Sequence, residues 1–454
     1  MLRTKLKRPD VIIVGAGSAG CVTARRCAEL GLRTLLLDRK ELNTVGQKVC
    51  GDEISKSHFE ETGIEPPKGK EISQIITGAD VYPPSMKNEL RVRGWKEFDG
   101  WTVNRLEFGQ RLLNEAIDAG VVFREKSHVK GPILRGEHVT GVELLDLDTK
   151  EESSLTTKLV IDASGFASVI RKKLETPFVE PDIAKEDVAL CYREILKLKV
   201  PLAEPHVARV LLGGIWAPQG YAWIFPKGKQ AVNAGVGIGG GEGKGSPKAY
   251  FEELRENYPL FFGSKVIEGK GGAVPVRRPV SSLVANGVAF VGDAAFQVNP
   301  IHGGGIGAGM RAGIILAEVA KVAVARNDTS AKRLWNYNVR YLSGFGSRLA
   351  SLEIFRRLLQ SVSDEDMDFG FEKRILEAND LMTANRGDGI SLSINEKMKR
   401  LGRGISRIGL LLKIQKASKI MKRISQHYQN YPSSPDSFDM WKAQDDSIIQ
   451  DAVF

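Results

Sequence analysis

The stretch Asp10–Asp38, DVIIVGAGSAGCVTARRCAELGLRTLLLD, constrains the fold more than any other part of this 454-residue chain. Val11–Val14 is an apolar run short enough to be a buried parallel strand. Gly15, Gly17 and Gly20 follow as G-x-G-x-x-G, and Ala19–Leu30 reads as the next helix. Gly15 permits a tight turn, Gly17 removes a side chain where a pyrophosphate must approach the backbone, and Gly20 lets helix and strand pack closely. The helix N-terminus then offers free N–H groups to phosphates. Gly31 suits the end of that helix, and Thr34–Leu37 reads as a second strand. Its terminal acid, Asp38, is placed to accept from a ribose 2′-OH. Strand, triplet, helix, strand and acid in this order predict a dinucleotide site, and the motif leaves NAD and FAD both open.

Length allows two or three structural units. The four cysteines (Cys21, Cys27, Cys50, Cys191) form no C-x-x-C, so neither a zinc ribbon nor a disulfide framework is indicated, no metal site is expected, and a reducing cytoplasm fits. Basic Met1–Pro9 lacks the apolar core of a signal peptide, and no run is long enough to span a bilayer. The net charge of +10 is concentrated at Lys397–Arg423, where basic residues alternate with Leu and Ile at near-helical spacing. Such a stretch either lies on an anionic membrane surface or docks on the body with solvated lysines. It has no aromatics for stacking bases, so nucleic acid is not expected. After Tyr431 the composition turns acidic and Ser/Pro-rich, a tail ordered only if it docks.

Beyond Asp38, the polar loop Arg39–Ser55 ends in Cys50-Gly51-Asp52. A loop after the second strand passes over the bound dinucleotide, so Cys50 is either near the reactive ring or a half-buried thiol in an ordinary turn. Short β-like pieces fill Ile72–Val103, and Asn104 caps a helix to Ala119 with Arg105 in its first turn. Val121–Phe123, Lys130–Arg135, Val139–Leu145 and Ser153–Val160 read as a β-meander leading to Asp162-Ala163-Ser164-Gly165. Residues 177–279 read as one mostly-β insertion. Within it Tyr221, Trp223 and Phe225 alternate before Pro226, giving one aromatic face, either core or the wall of an apolar pocket. Gly235–Gly240 repeats G-x-G-x-x-G but has glycines where a helix should start, so it is no second nucleotide site. Val288–Val291 precedes Gly292-Asp293-Ala294-Ala295, Pro300 and Gly303–Gly305, then a Gly/Ala-rich helix from Ile306 to Arg326.

Three of these segments resemble the FAD-dependent fold of p-hydroxybenzoate hydroxylase and its relatives: the first fingerprint with Asp38, Asp162–Gly165, and Gly292–Ala295 with Pro300 and Gly303–Gly305. The resemblance implies an α/β fold: a Rossmann-type FAD domain (1–71, 104–176, 280–335), an inserted mostly-β substrate domain (72–103, 177–279) and a helical C-terminal region (336–454). The cofactor candidates are Gly15, Gly17, Ala19, Gly20, Asp38, Arg39, Cys50 and Gly51, with Arg105 near the flavin, Asp162 and Gly165 at the second junction, and Gly292. By the same resemblance Asp293 holds the ribityl chain, Pro300 belongs to the cofactor loop, and Gly303, Gly304, Gly305 and Ile306 line the pyrimidine side.

Within that group the chain is similar to the geranylgeranyl reductases, particularly the archaeal digeranylgeranylglycerophospholipid reductases. Cys50-Gly51-Asp52 and Tyr221–Pro226 with downstream Gly235 and Gly237 carry this likeness. Asp52 departs from it, because many relatives have a second glycine there. The resemblance implies reduction of isolated C=C bonds in a geranylgeranyl-bearing lipid or geranylgeranyl diphosphate, with Tyr221, Trp223, Phe225, Pro226 and Gly235 lining an isoprenoid tunnel. Such an alkene has no electron-withdrawing group, so hydride must arrive with a proton. Cys50, Tyr221 and His302 are the candidate donors, with a water or the flavin itself as equal alternatives. NAD(P)H or a ferredoxin would supply electrons, the latter suited to the positive charge. The alternatives are a flavin monooxygenase or halogenase of the same fold, and a non-catalytic flavin-containing binding protein. The expected location is cytoplasmic, with a peripheral membrane contact.

Overall fold

A computed structural model describes residues 8–95, 99–375, 377 and 405–454. Val11–Val14 forms the fully buried centre of a six-stranded sheet, between Leu159–Asp162 and Thr34–Leu37, both parallel to it. Val288–Phe290 extends one side in parallel, and the short hairpin strand Val284–Ala285 closes that edge. Val122–Arg124 runs parallel to Thr34–Leu37 at the other edge. This corrects the meander expected from Val121 to Val160. The antiparallel unit is only Ser127–Arg135, His138–Asp146 and Glu152–Thr156, and the chain breaks at Thr157–Lys158 before re-entering the central sheet. Short apolar runs carry no direction in their composition, so neighbouring strands of two sheets read as one.

The first helix runs Ser18–Glu29 and packs against Ile306–Ala325. Small residues make the approach possible: a Cβ on Gly313 would lie 2.3 Å from Thr23 Oγ1. Arg105–Asp118 begins at Asn104, whose Oδ1 accepts from Leu106 N at 3.1 Å and Glu107 N at 3.4 Å. This satisfies two of the N–H groups that a helix start leaves open.

A second sheet of seven strands runs in the order Lys265–Pro275, Val188–Lys197, Ala231–Gly239, Tyr221–Pro226, Val207–Leu212, Gly78–Tyr82, Leu90–Arg93. Glu53–Ser55, Gly100–Val103 and Ile72–Ile76 form a small fourth sheet, with Gly100–Val103 in its middle. Ala222 and Ile224 pack with Phe251 and Leu254 of helix Pro247–Asn257, so Tyr221, Trp223 and Phe225 turn to the opposite face.

Ala331–Tyr341 leads through a single π-turn, Leu342–Gly346, into Ser347–Gln360. The basic stretch is helical over Ile408–Gln429 and docks along Ser347–Gln360, burying Leu410, Ala417, Ile420, Met421 and Ile424. Its first part, Lys397–Gly404, lies outside the described residues. The acidic tail also docks: Phe438–Gln450 buries Phe438, Trp441, Asp445 and Ile448, and Trp441 stacks on His427 with ring centres 4.7 Å apart. Each such apolar side chain contributes about 1.5–3 kcal/mol on burial. No helix among the described residues is long and apolar enough to cross a membrane.

Candidate functional site

One cavity of about 1160 Å³ joins the C-terminal ends of the parallel strands to the exposed-aromatic face of the seven-stranded sheet. A single small-ligand site occupies about 300–1000 Å³, so this space suits two ligands meeting end to end.

The dinucleotide end follows from the fingerprint. Gly15 has φ +105°, and a Cβ there would lie 2.4 Å from Ala163 O. Gly20 sits against the same turn, its missing Cβ only 1.9 Å from Gly15 O. Neither lines the cavity; both shape the loop. Gly17, Ser18 and Ala19 do line it, and a Cβ on Gly17 would meet nothing within 4 Å. Asp38 accepts from Ala16 N at 2.7 Å and from Lys40 N at 2.9 Å, which fixes its carboxylate at the cavity edge. Arg105 is buried beside this loop, with Nη2 3.4 Å from Ser18 Oγ, while its Nε and Nη1 have no hydrogen-bond partner among the described residues. A buried guanidinium with open donors next to a helix N-terminus calls for an anion. These residues fit a dinucleotide pyrophosphate.

Two cofactor candidates are corrected. Asp162 is fully buried, and its carboxylate is spent on its own turn. It accepts from Ser164 N and Oγ at 3.0 and 2.6 Å and from Ile170 N and Arg171 N at 3.1 Å each. Arg39 is exposed and stands outside the cavity. Gly165, Gly292, Asp293, Pro300, Gly303, Gly304, Gly305 and Ile306 line it. Asp293 is bridged across the space by Lys48 of the Arg39–Ser55 loop, with Nζ to Oδ2 at 2.7 Å. The Asp293 carboxylate raises the Lys48 pKa.

Cys50 and Gly51 enter next to the aromatic row. A Cβ on Gly51 would lie 2.9 Å from Phe225 Cε2, so this glycine is needed for contact with the ring. Asp52 takes the left-handed conformation, φ +68°, the region glycine enters freely and Asp tolerates. Lys227 Nζ and Asn233 Nδ2 hold its Oδ2 at 2.9 and 3.0 Å. The same Asn233 donates to Cys50 O at 2.7 Å and accepts from Trp223 Nε1 at 3.1 Å, tying the loop to the aromatic strand. Asn233 carried no signal in the sequence; only the strand register brings it there.

Tyr221, Trp223 and Phe225 line the cavity as a continuous wall, with neighbouring ring centres 5.9 and 6.4 Å apart. Gly235 and Pro226 are corrected as lining residues. A Cβ on Gly235 would lie 2.3 Å from Trp223 Cζ2, so it seats the indole from beneath. Pro226 is buried, and its carbonyl accepts from Thr102 Oγ1. Tyr221 O–H donates to His302 O at 2.7 Å, and burial raises its pKa far above the phenol range. His302 lines the cavity, its Nδ1 accepting from Gly304 N at 3.1 Å. Burial, then His58 and Arg348, lower its pKa to about 4. His58, beside the start of helix Ile306–Ala325, is likewise lowered to about 4 by burial, then by Arg348 and Arg311. Both imidazoles are therefore neutral near pH 7.

Beyond the aromatic wall the lining is mostly apolar, with Arg348, Arg356, Gln360, Asp364 and Asp366 also on it. Ala79, Val81, Ala208 and Val210 face Leu352, Phe355 and Leu359 of helix Ser347–Gln360 and Leu410 and Ile414 of the basic helix. The π-turn delivers Phe345 into the same space. Such turns accompany functional sites.

Comparison with known proteins agrees with this division. Residues 10–173 match the model of FAD-dependent oxidoreductases, and residues 187–274 match the geranylgeranyl reductase catalytic domain. The chain is 37% identical over 443 residues to digeranylgeranylglycerophospholipid reductase of Sulfolobus acidocaldarius, covering 97% of each chain. It is 32% identical to a reductase of the same name from Methanococcoides burtonii, covering 79% of this chain and 86% of that one. Among solved structures, a geranylgeranyl bacteriochlorophyll reductase-like protein from Thermoplasma acidophilum superposes with a TM-score of 0.76 at 25% identity, over 90% of this chain and 99% of the other. A flavin-dependent brominase superposes with a TM-score of 0.65 at 19% identity, over 94% of this chain and 100% of the other, and shares the fold alone. Cofactor loop, aromatic wall and whole-length identity point the same way, and the chain belongs to the digeranylgeranylglycerophospholipid reductase family of FAD-dependent oxidoreductases.

Proposed function

We propose that this chain saturates isolated C=C bonds in the geranylgeranyl chains of a glycerophospholipid. The observation that carries this reading is the single cavity linking the dinucleotide loop to an apolar channel walled by Tyr221, Trp223 and Phe225. In it, Asp38 takes the adenosine ribose, and Arg105 with the amides of Gly17–Ala19 takes the pyrophosphate. Asp293, now paired with Lys48, would hold the ribityl chain. Gly303–Ile306 lie at the pyrimidine side. Reduced FAD supplies the hydride. Trp223 and Tyr221 present π-density to the carbon on which positive charge develops, and the apolar walls exclude water from it. The lower lobe of the channel, between the sheet and helices Ser347–Gln360 and Ile408–Gln429, takes the rest of the chain.

The test is anaerobic. Chemically reduced protein offered a geranylgeranyl-bearing glycerophospholipid is expected to reoxidise its flavin, with the lipid gaining two hydrogens per double bond by mass spectrometry. Geranylgeranyl diphosphate in a parallel arm reports on the headgroup requirement. Oxygen-dependent hydroxylation or halogenation, without anaerobic reduction, overturns the reading in favour of a monooxygenase or halogenase. NAD(P)H and a reduced ferredoxin, offered separately to the oxidised protein, identify the electron donor.

The lipid has to leave a membrane, and the basic helix supplies a landing face. Ile408 and Leu412 are 58% and 59% exposed, one turn apart from each other and on the side of the helix away from the cavity-lining Leu410 and Ile414. Lys416, Lys419 and Lys422 are exposed on the same helix. Apolar residues that enter the headgroup boundary, flanked by lysines, bind anionic bilayers. The double substitution Ile408→Ser, Leu412→Ser is expected to weaken co-sedimentation with anionic vesicles about tenfold, the equivalent of about 1.4 kcal/mol. Added salt is expected to weaken the wild-type protein's binding as well. Unchanged vesicle binding by the variant overturns the landing face.

A further inference from the structure

We propose that Glu53 is the acid that protonates the alkene, an assignment that rests on the reductase reading above. Three groups offered themselves as donors from the sequence, and the structure weakens two of them. Tyr221 already gives its O–H to His302 O, and burial makes the phenol harder still to ionise. His302 stands exposed in the cavity with its Nδ1 taken by Gly304 N, and the surrounding walls, with His58 and Arg348, lower its pKa, so it carries no extra proton near neutrality.

Glu53 lines the same cavity. It begins the strand Glu53–Ser55, opposite Thr102 of Gly100–Val103, and its neighbour Ile54 is turned into the core at 2% exposure. Alternation along the strand therefore sends Glu53 the other way. The residue before it is locked, since Asp52 is held by Lys227 and Asn233. Among the described residues the Glu53 carboxyl makes no hydrogen bond and no ion pair. A carboxyl held by a rigid strand, turned away from the core and without a cation, is a neutral acid with a free proton. Burial pushes it up to about 7, near the pH at which a general acid is most effective. The cavity lining also carries the cations Lys48, Arg193 and Arg356, paired with Asp293, Glu268 and Asp187, and Arg105 and Arg348, none of which offsets the burial that shifts Glu53. The other titratable groups near the aromatic wall are Cys50, Cys191, Tyr221, His58 and His302. Burial drives the Cys191 thiol up to about 12 and leaves both imidazoles neutral, so none of these supplies a positive charge to ionise Glu53 near neutral pH. The nearby cation Lys227 is engaged by Asp52.

The step balances without a further reagent. The alkene π pair forms a C–H bond at the less substituted carbon as the Glu53 O–H bond breaks. The second C–H bond, at the tertiary carbon, would take the hydride that FAD, bound and reduced, would supply. Glu53 is left as a carboxylate and recovers its proton from solvent, and the two electrons of the reduction would come from reduced FAD.

The holoenzyme carrying Glu53→Gln tests this. The amide keeps the shape of the side chain and has no acidic proton. Flavin content and lipid binding are expected to match the wild type, while anaerobic reoxidation of the reduced flavin by lipid slows about 10²–10⁴-fold. Wild-type turnover is expected to fall as pH rises through about 7, because the acid must be protonated, and the residual rate of Glu53→Gln is expected to lose that limb. Infrared difference titration of the protein without substrate is expected to show a protonated carboxyl disappearing near the same pH, absent from the variant. Glu53→Gln reoxidising at the wild-type rate overturns the assignment, as does its surviving while Cys50→Ser fails. A wild-type protein that never passes electrons to the lipid overturns the functional reading and this one together, so the two failures are distinguishable.

Discussion

Gly17→Ala is expected to purify folded and short of FAD, whereas Gly15→Ala is expected to lose both flavin and stability. The two glycines lie two residues apart in one turn, but their surroundings differ. A methyl group on Gly17 meets no protein atom within 4 Å, and this residue already has an ordinary φ of −73°. The only thing it obstructs is the path by which a pyrophosphate reaches the helix amides. At Gly15 the φ of +105° costs a non-glycine residue roughly 1–3 kcal/mol, and the new Cβ presses on the backbone of Ala163 at 2.4 Å. That contact joins two parallel strands and cannot be relieved by a side-chain rotation. Flavin absorbance of the purified proteins and thermal unfolding with and without added FAD separate the cases. Gly17→Ala should match the wild-type apoprotein in Tm and show a much smaller rise with FAD, reflecting an affinity lower by tenfold or more. Gly15→Ala should melt lower even without cofactor. A stoichiometric flavin content in Gly17→Ala would refute the placement of the pyrophosphate.

This turn was legible because its chemistry is local. Every requirement of the loop falls on residues within one strand–turn–helix unit, and the sequence carries them in order. Asp162 shows where the same reasoning fails. It ends a parallel strand, as Asp38 does, and nothing in its local composition distinguishes the two acids. The difference is the path of the following chain: after Asp162 it curls back so that Ser164, Ile170 and Arg171 consume the carboxylate. Asp38 spends single hydrogen bonds on Ala16 and Lys40 and keeps its place at the cavity edge.

The aromatic wall was legible for its alternation, because period two fixes the shared face. Which face meets the cofactor depends on the pairing of Tyr221–Pro226 with Ala231–Gly239 and on Asn233, and no window of sequence contains both. Gly235 illustrates the point. Its place after the aromatic motif suggested a lining residue, while the register sets it opposite Trp223 as the seat of the indole. Glu53 was invisible for a different reason. A glutamate in a polar loop ordinarily faces solvent, and only the small sheet of Glu53–Ser55, Gly100–Val103 and Ile72–Ile76 sets it, half-buried, on the cavity wall. The C-terminal region divides likewise. Its amphipathic spacing predicted helices, but the choice between docking on the body and lying on a membrane was a matter of partners. The helix does the first along most of its length and leaves Ile408 and Leu412 available for the second.

Arg278→Leu is expected to cost about 3–5 kcal/mol near neutral pH and to release the C-terminal helix, with FAD retained. Arg278 is buried between two carboxylates, bonding Glu353 through Nη1 at 3.1 Å and Asp445 through Nη2 at 2.9 Å, and both acids are fully buried. Removing the cation strands two acids in the core, a larger penalty than the original pair was worth. Burial would push Glu353 up, but Arg278, Arg357 and Arg356 outweigh it and hold the carboxyl well below the usual range. The depressed carboxyl contributes stability that is present above its ordinary pKa and lost as pH falls through its folded value. Without Arg278 the balance tips toward the burial penalty, and the carboxyl is stable only when protonated. The variant's deficit is therefore expected to be largest near pH 7 and to shrink as pH falls through about 4.5, whereas a simple packing defect would be the same at both. The functional consequence follows the contacts. Asp445 lies on Phe438–Gln450, whose Trp441 braces His427 of the helix that lines the channel with Leu410 and Ile414. Limited proteolysis should cut the variant after Tyr431, and lipid reduction should fall while flavin content holds. A variant that resists protease and shows a pH-independent deficit would mean that the ion pairs contribute shape alone, and that the channel does not depend on the docked tail.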